Sequence, residues 1–174
     1  MTFPIPESLT AEQARFQHFI NTDVLPLLSS WNRAGRIPRE FFRQMGSGGW
    51  YGFNRRQDRL EKRSALREAL LAEALAAVSP GVAISALAHI DLGFMGLFMF
   101  GSNALKERYG PPAVSGEKIM CLANTENIAG SDVAGIGMSA GRVSGGWRLD
   151  GTKAFVTNGA IADLAVVTAV TDPD

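Results

Sequence analysis

Cysteine is nearly absent from the chain: Cys121 stands alone among 174 residues and cannot form an internal disulfide. Histidine is as scarce. His18 and His89 are far apart and have no ligand-spaced Cys, Asp or Glu companions, so no metal centre is expected. Neither charge sign is in excess, because Lys plus Arg and Asp plus Glu balance at 17 each. That balance removes the field by which nucleic acid or an anionic membrane surface would be recruited. The N-terminal stretch MTFPIPESLT lacks the basic and apolar regions of a signal peptide, and with the lone cysteine it points to a reducing, cytoplasmic setting. No internal repeat or low-complexity tract is visible.

What the chain does have is apolar material, 46% of its residues, enough for one sizeable core or for a helical domain and part of a second. Its longest run, Val82 to Phe100, is almost continuously apolar and about long enough to cross a bilayer. His89 and Asp91 fall near its centre, where an aspartate costs roughly 2.5–3.5 kcal/mol on insertion. No Lys/Arg cluster flanks the run to orient it, so a helix at the centre of a helical domain is expected rather than a membrane span.

The first half reads as helices. Thr10-Ala-Glu-Gln13 has capping-box spacing, and Phe16, Phe19, Ile20, Val24, Leu27 and Trp31 follow a 3.6-residue rhythm that Pro26 should bend. Pro38 suits a first helical position before Phe41, Phe42 and Met45, and Gly46, Gly48 and Gly49 should stop that helix. Leu60 to Val78 reads as a longer helix ended by Ser79-Pro80. Ser102 should cap a last helix, Asn103 to Tyr109, terminated by Gly110-Pro111-Pro112.

After Gly116 short β-rich runs take over: Lys118 to Ala123, Gly135 to Val143, Trp147 to Asp150, Lys153 to Thr157 and Leu164 to Thr171. Ser144-Gly145-Gly146 and Asp150-Gly151 mark turns, and antiparallel pairing is expected. The fold class is therefore α+β, a helical domain over residues 1–116 followed by an incomplete antiparallel β domain over 117–174.

Gly135-Ile-Gly137-Met-Ser-Ala140 has the letters of a dinucleotide fingerprint, but that motif needs a helix to open inside it, and here Gly141 and Ser144-Gly145-Gly146 follow at once. The arginines at 55, 56 and from 59 to 67 are interleaved with Asp58, Glu61 and Glu68, which suggests a solvated helix face. His18 is expected on a helix surface and His89 as a hydrogen-bonded core residue.

Two loops carry ligand-binding character. Cys121 to Asp132 ends a strand in small polar residues, and Gly151 to Gly159 brings an aromatic, a threonine and an Asn-Gly turn to the end of another. Such loops let backbone amides and hydroxyls approach a flat heteroaromatic ring and a diphosphate. Thr125-Glu-Asn-Ile-Ala-Gly-Ser-Asp132 resembles the acyl-CoA dehydrogenase signature T-E-x-x-A-G-S-D. Lys153-Ala-Phe-Val-Thr-Asn-Gly159, followed by Ala162-Asp163, resembles the same family's K-x-(W/F)-I-T-N-G with its trailing A-D. The likeness extends to Asp23-Val-Leu-Pro26, Gly35-Arg-Ile-Pro38, the Gly-Trp-Tyr-Gly turn at 49–52, Lys106-Glu-Arg-Tyr109 and Ser115-Gly-Glu117, nearly the whole chain.

The resemblance implies an FAD enzyme that dehydrogenates an acyl-CoA or carrier-bound acyl thioester and passes electrons to an electron-transfer flavoprotein-type acceptor. It places Leu122, Ala123, Asn124 and Thr125 along the flavin, and Gly130 and Ser131 near the diphosphate, with Ser131 also toward the substrate. It sets Phe155 over one ring face and Val156 and Thr157 beside it. Asn124 departs from the pattern, which usually has an apolar residue before the threonine. Glu126 is implied to be architectural, and Asp132 and Asp163 to be turn-capping groups. The catalytic base is implied to lie in a C-terminal helical bundle that is missing from these residues, so the chain alone should not catalyse without a complementary chain, and an oligomer is expected. Alternatives are a related flavin oxidase or monooxygenase, or a non-catalytic binding protein of the same fold.

Overall fold

The computed structural model describes residues 5–171 apart from 52, 57, 58 and 63, and for 53–56 and 59–62 it describes the backbone only. Helix α1, Glu7–Phe19, runs into a π-helical turn, Ile20–Val24, and a 3-10 turn, Leu25–Leu27, that contains Pro26. Phe16, Ile20 and Val24 of the rhythm read from the sequence are inaccessible to solvent, whereas Leu27, expected on the same face, is 46% exposed. The capping box does not form. Helix α1 starts at Glu7, which puts Thr10 inside the helix, with its hydroxyl donating to the Pro6 carbonyl at 3.5 Å.

Helix α2, Leu28–Ala34, ends on Gly35 in the left-handed region, φ 63°. Helix α3, Arg39–Ser47, has Pro38 just outside it as the N-cap rather than as its first residue. Strands β1, Phe53–Arg56, and β2, Arg59–Lys62, form an antiparallel hairpin in register Phe53↔Lys62. Here the ladder overrides helix propensity, which is a weak preference, so the helix expected from Leu60 begins only at Ala65 and runs to Val78 as α4. The Gly-Trp-Tyr-Gly turn reaches Gly52, outside the described residues, as do the side chains of the arginine run before Arg67.

Arg67 contradicts the solvated face. It is 4% exposed, and its guanidinium donates to Glu12 and to the carbonyls of Gly49 and Trp50. The fork of five donors holds the 49–51 turn against α1 and α4, a role that a partner 55 residues away hides from any local pattern.

Helix α5, Pro80–Leu87, is capped by the Ser79 hydroxyl, which accepts from Val82 N at 3.4 Å. It continues without a break through a π-helical segment, Ala88–Phe94, into α6, Met95–Phe100. The continuous helix Pro80–Phe100 is long and apolar enough to cross a membrane by length and composition, and 56% of its apolar window is buried inside the protein. Ser102 caps α7, Asn103–Val114, as expected, but α7 runs through Pro111 and Pro112. The carbonyls of Pro111 and Pro112 accept from Ser115 N and Lys118 N, so the end of the helix is satisfied beyond the prolines.

The β region comprises β3, Met120–Ala123, β4, Ser139–Val143, β5, Gly146–Asp150, and β6, Leu164–Val167. Strands β4 and β5 form the expected antiparallel hairpin, turning at Gly145 with φ 85°. Strands β3 and β6 pair in parallel instead, Met120↔Leu164 through Ala123↔Val167. Residues 153–157 form a loop, not a strand, because Phe155 and Asn158 take positive φ values of 53° and 65° and break the pleat.

The parallel pair lies directly on the long helix. A Cβ at Gly93 would stand 2.8 Å from Cys121 N, and one at Gly96 would stand 2.9 Å from Val166 Cγ1. His89, fully buried one turn away, joins the two regions: its Nε2 lies 3.0 Å from the Ala113 carbonyl, and its Nδ1 accepts from Met120 N at 3.0 Å. Asp163 does more than cap a turn. It pairs with Arg39 of α3 and accepts from Ile119 N at 2.8 Å. Burial raises the Asp163 pKa, but the hydrogen bonds and charges of Arg39, Ile119 N and Lys118 outweigh it and leave it below its usual value.

Candidate functional site

The end of β3 and the 151–159 loop are tied by one backbone bond, Ala154 N to the Thr125 carbonyl at 2.8 Å. Between them lies a cleft of about 220 Å³ lined by Ala88, Leu92, Leu122, Asn124, Thr125, Ala154, Phe155 and Thr157. Five of the residues singled out in the sequence therefore share one wall system: Leu122, Asn124, Thr125, Phe155 and Thr157.

Phe155 is 93% exposed, although it is a large aromatic in the left-handed region of backbone space. That conformation costs a non-glycine residue roughly 1–2 kcal/mol, and burial of the ring inside the chain returns none of it. The hydroxyls of Thr125 and Thr157 and their backbone N–H groups make no hydrogen bond among the described residues. An exposed ring and two sets of unused donors facing one cleft make a site for a flat ligand with a hydrogen-bonding edge.

Four other expected residues lie off this cleft. Ala123 is buried at 7% exposure. Val156 and Asn158 line a separate groove with Arg36, Ile37 and Ser85, since alternate residues of the loop face opposite ways. Gly130 and Ser131 are exposed in the preceding loop, away from the cleft wall. The loop is anchored by Asn158, whose Nδ2 donates to the Ser85 carbonyl at 2.8 Å and whose Oδ1 accepts from the Ser85 hydroxyl.

Sequence reasoning missed Ala88 and Leu92, which come from the π-helical segment. As small and apolar residues four apart they are indistinguishable from core positions. It also left Lys153 without a role, although a lone cation in a loop of small residues was the available signal.

Lys153 reaches into a polar cluster beside the cleft. Its Nζ donates to Glu126 Oε1 at 2.7 Å, to the Asn124 carbonyl at 2.9 Å and to Thr168 Oγ1 at 3.2 Å. Glu126 Oε2 and Oε1 also accept from Gly137 N at 2.7 Å and Met138 N at 3.0 Å. The Lys153 hydrogen bond, with those of Gly137 and Met138 behind it, lowers the Glu126 pKa to about 2. The two glycines of the apparent dinucleotide fingerprint are thus engaged with carboxylates, Gly137 with Glu126 and Gly135 with Asp132, and no helix opens there. Asp132 caps the 3-10 turn Val133–Gly135 by accepting from Gly135 N at 3.2 Å.

Among the described residues, no group of three or more His, Cys, Asp or Glu is placed to hold a metal ion.

Two family models match. Residues 6–117 fit the acyl-CoA dehydrogenase N-terminal domain and residues 121–174 fit the middle domain of the same family. The chain belongs to the acyl-CoA dehydrogenase family. The long-chain specific acyl-CoA dehydrogenase of Rattus norvegicus mitochondria is 31% identical over 162 residues, 88% of this chain and 36% of that protein. The crystal structure of an acyl-CoA dehydrogenase from Geobacillus kaustophilus superposes with a TM-score of 0.89 at 28% identity, covering 100% of this chain and 46% of that one. The FAD complex of PigA superposes with a TM-score of 0.88 at 30% identity, again over 100% of this chain and 46% of that one. The chain therefore spans less than half the length of each of these relatives.

Proposed function

We propose that the protein is an FAD-dependent dehydrogenase that desaturates the α,β bond of an acyl thioester carried on CoA or on a carrier protein. The reading rests above all on the shared cleft of Thr125 and Phe155, and family membership and the FAD complex of a similar chain support it. The residues present fit the cofactor: the exposed Phe155 ring offers a face to a flat heteroaromatic, and the unused donors of Thr125 and Thr157 offer partners for its polar edge. Bound there, the flavin would supply a two-electron acceptor for hydride.

The chain's own residues bind and orient. Leu122, Ala88 and Leu92 supply apolar walls that exclude water, and Ala154 N holds the two loops in register. Glu126 is not the proton-abstracting base. A base works best with a pKa near the operating pH, and Glu126, held at about 2 by Lys153 and two backbone amides, is spent on structure. Among the described residues no carboxylate lines the cleft. The base therefore comes from protein outside these residues, which on their own do not turn over, and electrons pass to a flavoprotein-type acceptor.

The experiment is a visible absorption scan of the purified protein followed by anaerobic addition of acyl-CoAs. Flavin absorbance that acyl-CoA shifts without bleaching in these residues alone, and bleaches once protein supplying the base is added, with a reduced form that reoxidises slowly in air, is the expected result. A protein that carries no flavin and takes none up would defeat the proposal.

A further inference from the structure

Asn124 is a wall residue of the cleft, and its side chain is oriented by a relay that begins at a buried ion pair. Lys153 can only donate, so Thr168 Oγ1 is the acceptor at 3.2 Å. The Thr168 hydroxyl proton then goes to Asn124 Oδ1 at 2.9 Å. Lys153 is itself fixed by Glu126, and Glu126 by Gly137 N and Met138 N. This chain of bonds sets which way the Asn124 amide is turned. Oδ1 is committed to Thr168, and Nδ2 makes no hydrogen bond among the described residues.

We propose that Asn124 is a cofactor-contacting residue that donates from Nδ2 to an acceptor on the edge of the flavin ring, with Thr168 as the positioning residue that holds the amide in that sense. The inference rests on the flavin reading above and adds to it a side-chain donor at Asn124. A donor of this kind favours the reduced ring, which carries more negative charge on its acceptor edge than the oxidised one. The relay gives the polar cluster a function beyond joining loops, because it converts the Glu126–Lys153 pair into a fixed dipole at the cleft.

The test measures the reduction potential and visible spectrum of the flavin-loaded protein in Asn124→Leu, Asn124→Ala, Thr168→Val and Thr168→Ser. Loss of the donor is expected to reduce the preference for reduced over oxidised flavin about tenfold, about 30 mV for a two-electron couple. Asn124→Leu and Asn124→Ala should both show it, so a folding defect in the bulkier variant leaves the other to decide. Thr168→Val should move the potential the same way by less, since the amide can then turn over, and Thr168→Ser should restore it. Flavin-loaded Asn124 variants with wild-type potential and spectrum would overturn the role of Asn124 alone. Failure of the wild-type protein to hold flavin would overturn the parent reading, and this inference with it.

Discussion

Lys153 Nζ lies 2.7 Å from Glu126 Oε1, and the two side chains are only 5% and 8% exposed. A carboxylate next to the motif threonine is the natural candidate for a base, but this pairing makes it a strut. Its oxygens receive the ammonium and two backbone amides that span the turn from Glu126 to Met138.

Glu126→Gln should therefore lower stability and leave the cleft shape largely intact. The folded pKa of Glu126, about 2, lies below its ordinary value of 4.5. The charged pair's contribution is fully present above pH 4.5 and is lost as pH falls toward 2. Melting temperatures of wild type and variant should differ clearly at neutral pH and converge between about pH 5 and pH 2. A gap that is constant with pH would contradict the assignment.

His89 should impose a second pH dependence, with its window higher on the scale. Burial lowers its pKa from 6.5 to about 4, against smaller raising effects of the Ala113 carbonyl and Asp163. The unfolded chain binds the proton first, so stability is unaffected above pH 6.5 and falls as pH drops from there to about 4. The full loss is about 3 kcal/mol by linkage. Denaturant midpoints measured across this range should fall in the wild type and fall less steeply in His89→Gln.

Gly93→Ala should test the seat of the β region on the long helix. The added methyl meets Cys121 N and Met120 Cβ at 2.8 Å, and backbone on one side of the contact cannot swing away. Overpacking of this kind costs about 1–3 kcal/mol. A fall in melting temperature is expected, whereas Gly141→Ala, with nothing within 4 Å of the new methyl, should be close to neutral. Equal effects of the two would contradict the close approach.

The helical half was legible in the sequence because burial follows spacing: Phe16, Ile20 and Val24, then Phe41, Phe42 and Met45, are the residues that the structure buries. The cleft was legible because its two loops carry distinctive small and polar residues. The β1–β2 hairpin was not, since Arg59–Lys62 has neither alternating apolar residues nor a turn signal to set against its helix-forming composition. The parallel pairing of β3 and β6 depends on contacts 44 residues apart, and no local pattern encodes strand direction at that range. Val156 shows the finest limit. It belongs to the same motif as Phe155 and Thr157, but a one-residue step places it in the other groove.

Phe155 separates ligand binding from folding, because its ring is 93% exposed and its backbone sits at φ 53°. Phe155→Gly relieves a conformation that costs phenylalanine roughly 1–2 kcal/mol, but it also loosens the unfolded chain, so the net change in stability should be small, within about 1 kcal/mol. The cofactor should respond much more strongly. Removing an aromatic face forfeits about 0.5–1.5 kcal/mol of ring–ring contact beyond the area it covers, so flavin affinity should weaken about tenfold or more. Calorimetric titration of the flavin-free protein with FAD and thermal unfolding without cofactor measure the two quantities independently. A variant that unfolds earlier by several kcal/mol yet binds FAD as tightly as wild type would reverse the roles and make Phe155 part of the scaffold.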